Sequence, residues 1–153
     1  MSDKVYTMRK MNPARLSSQE CDWHTPRDLF RQLDAEFHFE LDVCASAENH
    51  LCADYFDIDK NGLLQRWAPR TCWMNPPYGG DIPKWMSKAL EEADHGSTVV
   101  CLVPARVDTE WFQCLVMEAG AEIRFIRGRL KFNNAKNSAP FPCAVVVYRP
   151  KAS

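Results

Sequence analysis

Thr71-Cys72-Trp73-Met74-Asn75-Pro76-Pro77-Tyr78-Gly79-Gly80 is the stretch on which the architecture of the chain turns. Its first four residues are compact and mostly apolar, and predict a short strand over 71–74. The next residues end it. Two consecutive prolines fix φ and remove two backbone donors, so no ladder continues past them. Beyond the glycines, Ile82, Trp85, Ala89, Leu90 and Ala93 fall on one helical face. A strand, a stiff turn and a helix make one unit of an α/β fold.

The same alternation extends in both directions. Upstream, Thr25 reads as an N-cap, Pro26 as a first helical residue and Asp28 as an acid of the first turn. Leu29, Phe30, Leu33 and Phe37 then recur at helical spacing. Phe39, Leu41 and Val43 alternate as a strand that ends in Asp42-Val43-Cys44-Ala45. Residues 46–70 yield only a short strand near Tyr55-Phe56. Downstream, Thr98 to Val103 is an apolar run suited to a strand buried on both faces. A helix follows with Asp108 as cap, Trp111, Phe112, Leu115 and Val116 as core, and Gly120 as stop. Two late strands, 122–131 and 143–148, have no helix between them and should pair antiparallel. The fold expected is α/β, a mostly parallel sheet covered by helices, with a terminal antiparallel strand pair. Ligands of such sheets sit beyond the carboxyl ends of strands, where strand order reverses. That places the turns after Val43 and Met74 on one functional rim.

At 153 residues and 46% hydrophobic content, the chain suits one domain, expected over 21–150 behind a flexible arm at 1–20. A net charge of −1 argues against a generic basic coat for nucleic acid, but it hides an asymmetry. Residues 121–153 hold Arg124, Arg127, Arg129, Lys131, Lys136, Arg149 and Lys151 against the single acid Glu122. No run approaches the roughly 18 apolar residues of a membrane span, and no signal peptide is visible, so a cytoplasmic protein is expected. Seven scattered cysteines without a Cys-x-x-Cys pair predict no metal site. Most of them read as small buried apolar residues.

Asn75-Pro76-Pro77-Tyr78 carries the chemistry. The turn offers two acceptors, the Asn75 side-chain oxygen and the Pro76 carbonyl, with Pro77 as stiffener and Tyr78 as a flat ring beside them. That set suits an exocyclic amine on an aromatic ring, whose lone pair is delocalised and weakly nucleophilic. Two acceptors gripping its hydrogens favour a pyramidal nitrogen and free the lone pair for attack. A stacked ring holds the amine in line with an electrophile. The bland alternative is a proline-rich turn with Tyr78 as packing.

The tetrapeptide resembles the catalytic motif of amino-methyltransferases that use S-adenosylmethionine. The wider order is similar to that of phage-type DNA N6-adenine methyltransferases. It comprises Trp23-x-Thr25-Pro26, Leu41-Asp42-Val43-Cys44-Ala45, Asn49, Leu63 and Trp67, the tetrapeptide and Trp85. Val103-Pro104-Ala105, Asp108-Thr109-x-Trp111-Phe112 and Gly128-Arg129-x-x-Phe132 complete it. The resemblance spans residues 23–148. It implies a Rossmann-like class I methyltransferase fold and site-specific transfer of a methyl group to adenine N6. It also implies S-adenosylmethionine held by Trp23, Thr25, Pro26, Asp42, Val43, Cys44 and Ala45. A helix start at Thr25 would offer N–H groups to the methionine carboxylate, and Asp42 would suit its ammonium. Two departures stand out. The turn 42–47 lacks the glycines common after the first strand, and Arg66 stands where an acid often precedes the Trp67 position. Asp57 or Asp59 would grip the ribose.

An adenine in double-stranded DNA must be flipped out for chemistry at N6. Arg127, Arg129 and Lys131, read as one face of an alternating strand, are the expected phosphate contacts, and Phe132 or Phe141 the ring that joins Tyr78 on the base. No inserted recognition domain fits in this length, so a short target or help from a protein partner, whose identity the sequence leaves open, is expected. The rival readings are methylation of an RNA base or protein glutamine, and a catalytically inactive DNA-binding relative.

Overall fold

The structure, a computed structural model, describes residues 23–151; the arm expected at 1–20 lies outside them. Five strands form one sheet: β1 (Leu41–Asp42), β2 (Thr71–Met74), β3 (Thr98–Pro104), β4 (Glu122–Phe125) and β5 (Cys143–Tyr148), in the order β1-β2-β3-β5-β4. β1 and β2 are parallel, as are β2 and β3, while β5 runs antiparallel to both β3 and β4. Four strands therefore point one way and β5 alone opposes them. The sheet is mostly parallel and ends in an antiparallel pair, as the sequence pattern implies. β3 and β5 pair from Val99–Tyr148 to Pro104–Cys143, and β5 is buried along its whole length. Their β-branched runs suit this central place, where both faces are covered.

Tyr55 forms an isolated parallel bridge to Asp42 on the outer side of β1, all that remains of the strand expected there. The chain then returns to build β2 on the other side of β1. Strand order reverses between β1 and β2, which is where a ligand crevice opens in a sheet of this type.

Two α-helices pack on the sheet: α1 (Arg27–Phe37) and α2 (Ile82–Asp94). α1 lays Phe30 edge-on against Trp73 of β2 at 5.5 Å, and Phe30 stacks on Phe39 at 5.4 Å. α2 buries Ile82, Trp85, Met86, Ala89 and Ala93. Glu92 of α2 is also buried, and its Oε2 accepts from the backbone N–H groups of Trp67 and Ala68 while Oε1 takes Lys88. The loop ahead of β2 is thereby pinned to α2. A short 3₁₀ turn, Gly62–Leu64, presses on β1 so closely that a Cβ on Gly62 would lie 2.1 Å from the Val43 carbonyl oxygen. Only glycine permits that approach.

Three local expectations are corrected. The first helix begins at Arg27 with Pro26 as its N-cap, and Thr25 does not cap it because its hydroxyl accepts a hydrogen bond from Asn75. The segment after β3 is a π-helix over Phe112–Met117, capped by the Thr109 hydroxyl, which accepts from the Phe112 N–H, rather than by Asp108. β4 stops at Phe125 instead of reaching 131. Its last ladder bond runs from Ile126 N–H to the Cys143 carbonyl, and Gly128, at φ 76°, turns the chain away. Arg127, Arg129 and Lys131 are therefore exposed on a loop and do not share a strand face.

Candidate active site

β2 ends at Met74 and delivers Asn75 to the rim. The Asn75 amide nitrogen donates to the Trp23 carbonyl at 2.6 Å and to the Thr25 hydroxyl at 3.0 Å. A backbone carbonyl can only accept, so the NH₂ end of the amide must face Trp23 and the oxygen must face away. That oxygen, Oδ1, is buried and has no partner. A buried acceptor left without a donor costs about 1–3 kcal/mol, and such orphans call for an explanation. Trp73 Nε1 is the other buried orphan among the described side chains; its ring lies in the apolar core against Phe30 and Phe39. Asn75 Oδ1 instead stands just past the carboxyl end of β2, in the turn that continues into Pro76 and Pro77.

Tyr78 is wedged beneath this turn. It is 4% exposed, and its hydroxyl donates to the Leu102 carbonyl at 3.0 Å. Burial pushes its phenol well above the ordinary tyrosine value, so it stays neutral. Its ring meets Phe132 edge-on at 6.0 Å and Phe141 at 5.7 Å. Phe132 is only 1% exposed and packs on Trp23 at 5.1 Å, whereas Phe141 is half-buried. Arg106, exposed at the end of β3, carries its guanidinium 5.9 Å from the Phe141 ring centre. Sequence reading missed Arg106 because it lies in the acidic body of the chain. The signal was its place, directly after Val103-Pro104-Ala105 at a strand end.

Beside Asn75, a cleft of about 490 Å³ opens between the start of α1 and the loop after β1; Thr25, Arg27, Phe30, Glu48, Asn49 and Leu51 are among its walls. Of the seven residues expected to hold a cofactor, Thr25 lines this cleft directly. Asp42 does not reach it openly: it is 2% exposed, and its two oxygens accept the N–H groups of Cys44 at 3.3 Å and Leu51 at 3.1 Å. Desolvation pushes its carboxyl up to about 7 against the pull of those two donors. Asp42 thus closes the turn and props the Leu51 wall. Val43 is buried and donates its N–H to the Trp73 carbonyl, and Ala45 N–H goes to the Phe56 carbonyl. Trp23, Pro26, Cys44 and Ala45 are half-buried around the same rim. Glu48 is the acid that faces the cleft, a residue sequence reading did not single out. Asp57 uses Oδ1 to accept the Lys60 N–H, and Asp59 is exposed. No cluster of three or more His, Cys, Asp or Glu among the described residues could hold a metal ion. Nor is any described helix long and apolar enough to cross a membrane.

The basic tail divides in two. Arg124 is bound through both terminal nitrogens to Glu36 at 2.7 Å and through Nε to Glu122; Arg149 also meets Glu122, and Lys151 meets Asp94. These three serve the fold. Arg127, Arg129, Lys131 and Lys136 sit exposed on the 126–142 loop, and no ion pair engages them among the described residues.

The family described as DNA N-6-adenine-methyltransferase (Dam) matches residues 14–149, nearly the whole chain. The chain belongs to that family. A DNA N-6-adenine-methyltransferase of Haemophilus phage HP1 is 30% identical over 137 residues, covering 85% of this chain and 79% of that one. A DNA N-6-adenine-methyltransferase of Escherichia phage T1 is 34% identical over 93 residues, covering 59% of this chain and 38% of the relative. Among solved structures, a candidate RNA methyltransferase from Pyrococcus horikoshii superposes with a TM-score of 0.52 at 12% identity, over 99% of this chain and 91% of that one. That likeness is one of fold.

Proposed function

We propose that residues 21–150 act as one domain that transfers a methyl group from S-adenosylmethionine to adenine N6 in double-stranded DNA, in the cytoplasm. The observation that carries this reading is Asn75 Oδ1, a buried acceptor without a partner at the end of β2, on an amide whose nitrogen is tied to Trp23 and Thr25.

The cleft fits the cofactor. Its volume lies within the range of small-molecule sites, roughly 300–1,000 Å³. The start of α1, with no side-chain cap, leaves its first N–H groups for a carboxylate, and Arg27 adds positive charge there. Thr25, Glu48 and Asn49 supply polar contacts, and Phe30 and Leu51 supply apolar walls. S-adenosylmethionine, when bound, supplies a methyl group activated by a positively charged sulfur. The rest of the work belongs to the chain. Asn75 Oδ1 and the Pro76 carbonyl accept the two hydrogens of the amine, drawing its nitrogen toward a pyramidal, nucleophilic form. Pro77 and the buried Tyr78 hold the turn rigid, so the acceptors need no rearrangement as positive charge develops. Transfer would exchange the methyl carbon–sulfur bond of the cofactor for a carbon–nitrogen bond on the amine, the bonding pair staying on sulfur and one amine proton passing to water; no covalent bond to the protein is needed. Phe141, capped by Arg106, is the ring with access to an extruded base, while Phe132 and Tyr78 back it.

Labelled cofactor incubated with duplex DNA, RNA or protein, followed by digestion, tests the reading. N6-methyladenine in DNA is the expected product; labelled RNA or protein with unlabelled DNA overturns it. The loop cations carry a second expectation. Arg127→Ala with Arg129→Ala should weaken DNA binding and lower the slope of log affinity against log salt by about 1–2, because each phosphate contact releases counterions. An unchanged slope would return both residues to the solvated surface.

A further inference from the structure

The strap formed by residues 23–25 is held from both sides by parts of the chain far away in sequence. On one side it receives the Asn75 amide, through the Trp23 carbonyl and the Thr25 hydroxyl. On the other it is clamped by the 126–142 loop. His24 N–H donates to Asn134 Oδ1 at 3.0 Å, and the His24 carbonyl accepts from Asn133 N–H at 3.0 Å. The Trp23 ring packs on both Phe132 at 5.1 Å and Phe141 at 5.4 Å. The loop is itself closed by Ala139 N–H donating to the Leu130 carbonyl at 2.7 Å. The backbone bonds to His24 thus sit between the exposed cations of the loop and the catalytic amide.

We propose that Asn134 is a positioning residue for Asn75, acting through the 23–25 strap. The inference rests on the methyltransferase reading above. An Asn amide rotated by half a turn presents NH₂ where Oδ1 now stands, and two N–H groups would then oppose the substrate amine. The Trp23 carbonyl, which cannot donate, forbids that rotation, and Asn134 fixes the Trp23–His24 peptide that carries it. DNA gripping the loop cations therefore tightens the same clamp that aims the acceptor. Such coupling acts on the rate of the chemical step rather than on ground-state binding.

The test compares full-length wild type, Asn134→Ala and Asn134→Asp at saturating cofactor and duplex DNA. Single-turnover methylation is measured alongside DNA affinity and affinity for S-adenosylhomocysteine. Asn134→Ala should slow the single-turnover rate about tenfold, misplacement of a reacting geometry being costly. Both affinities should stay within about threefold, a change worth less than 1 kcal/mol. Asn134→Asp keeps an oxygen for His24 N–H and should recover most of the rate. A full rate in Asn134→Ala, a loss in Asn134→Asp equal to that in Asn134→Ala, or a loss confined to affinity would each overturn the proposal. Should Asn134→Ala fail to fold, Asn134→Leu, which keeps the volume but offers no acceptor to His24 N–H, is read against Asn134→Asp instead. Leu should slow the saturated rate and Asp should keep most of it; equal rates overturn the proposal. Asn75→Ala separates the two levels. If it is inert while Asn134→Ala is fully active, positioning alone fails; if Asn75→Ala is itself fully active, the reading of the site fails.

Discussion

Asn75→Ala is expected to lower single-turnover methyl transfer by about 100-fold or more, the scale seen when one preorganised partner of developing charge is removed. Cofactor affinity should change by no more than a few-fold, because the cleft walls come from α1 and the loop after β1 rather than from Asn75. Among the described side chains, Oδ1 is the buried acceptor that lacks a donor, and the substitution removes it. It also leaves the Trp23 carbonyl and the Thr25 hydroxyl without the amide they hold. The cost to stability should be about 1–2 kcal/mol, because the two bonds made by Nδ2 are lost while the unfavourable burial of Oδ1 is relieved. Rate and thermal stability measured on one preparation check this. A mutant that keeps the wild-type rate would remove Asn75 from the chemistry.

The sheet was readable because its strands announce themselves. The apolar runs at 98–103 and 143–148 are buried as expected, and the proline pair ends β2 where it should. The site was readable only as a list of residues. That Thr25 serves Asn75 rather than the helix depends on a hydrogen bond across 50 residues, which local pattern cannot supply. The basic strand was misread because alternation in Arg127-x-Arg129-x-Lys131 imitates an exposed strand face. Gly128 within it was the contrary signal, since a positive φ breaks a ladder. The stretch 46–70 resisted assignment for another reason. It is held by single long-range contacts, such as Gly62 against Val43 and Glu92 on Trp67 and Ala68, with almost no periodic structure of its own. The missing glycines of the 42–47 turn find a partial answer there, because the close approach to β1 is made by Gly62 instead. Charge, too, was only half readable. Summed along the chain, the tail is basic, but Glu36, Glu122 and Asp94 neutralise three of its seven cations in space.

Glu92→Ala is expected to destabilise the protein by about 3 kcal/mol, at the lower end for removing one partner of a buried, hydrogen-bonded charge. Two backbone N–H groups, of fully buried Trp67 and half-buried Ala68, would lose their acceptor, each at about 1 kcal/mol or more. Lys88 loses its counter-ion but retains a route to water, which keeps the total from rising further. For a domain of this size the melting temperature should fall by roughly 6–12 °C. Glu92→Gln separates the contributions. Both N–H groups reach the same oxygen, Oε2, so an amide oxygen in that place satisfies them while Lys88 swings out to solvent, and the loss should be about 1 kcal/mol. Acid adds a third discrimination. Burial pushes the Glu92 carboxyl upward, but Lys88 and the two backbone donors outweigh it and hold it below its ordinary value of 4.5. A carboxyl with a depressed folded-state pKa stabilises above its unfolded value and loses that contribution as pH falls through the folded one. The gap between wild type and Glu92→Gln in urea unfolding should therefore persist from pH 5 to neutrality and narrow as the pH falls below the ordinary value of 4.5. A gap independent of pH would mean that the backbone bonds, and not the carboxylate charge, hold the loop ahead of β2 against α2.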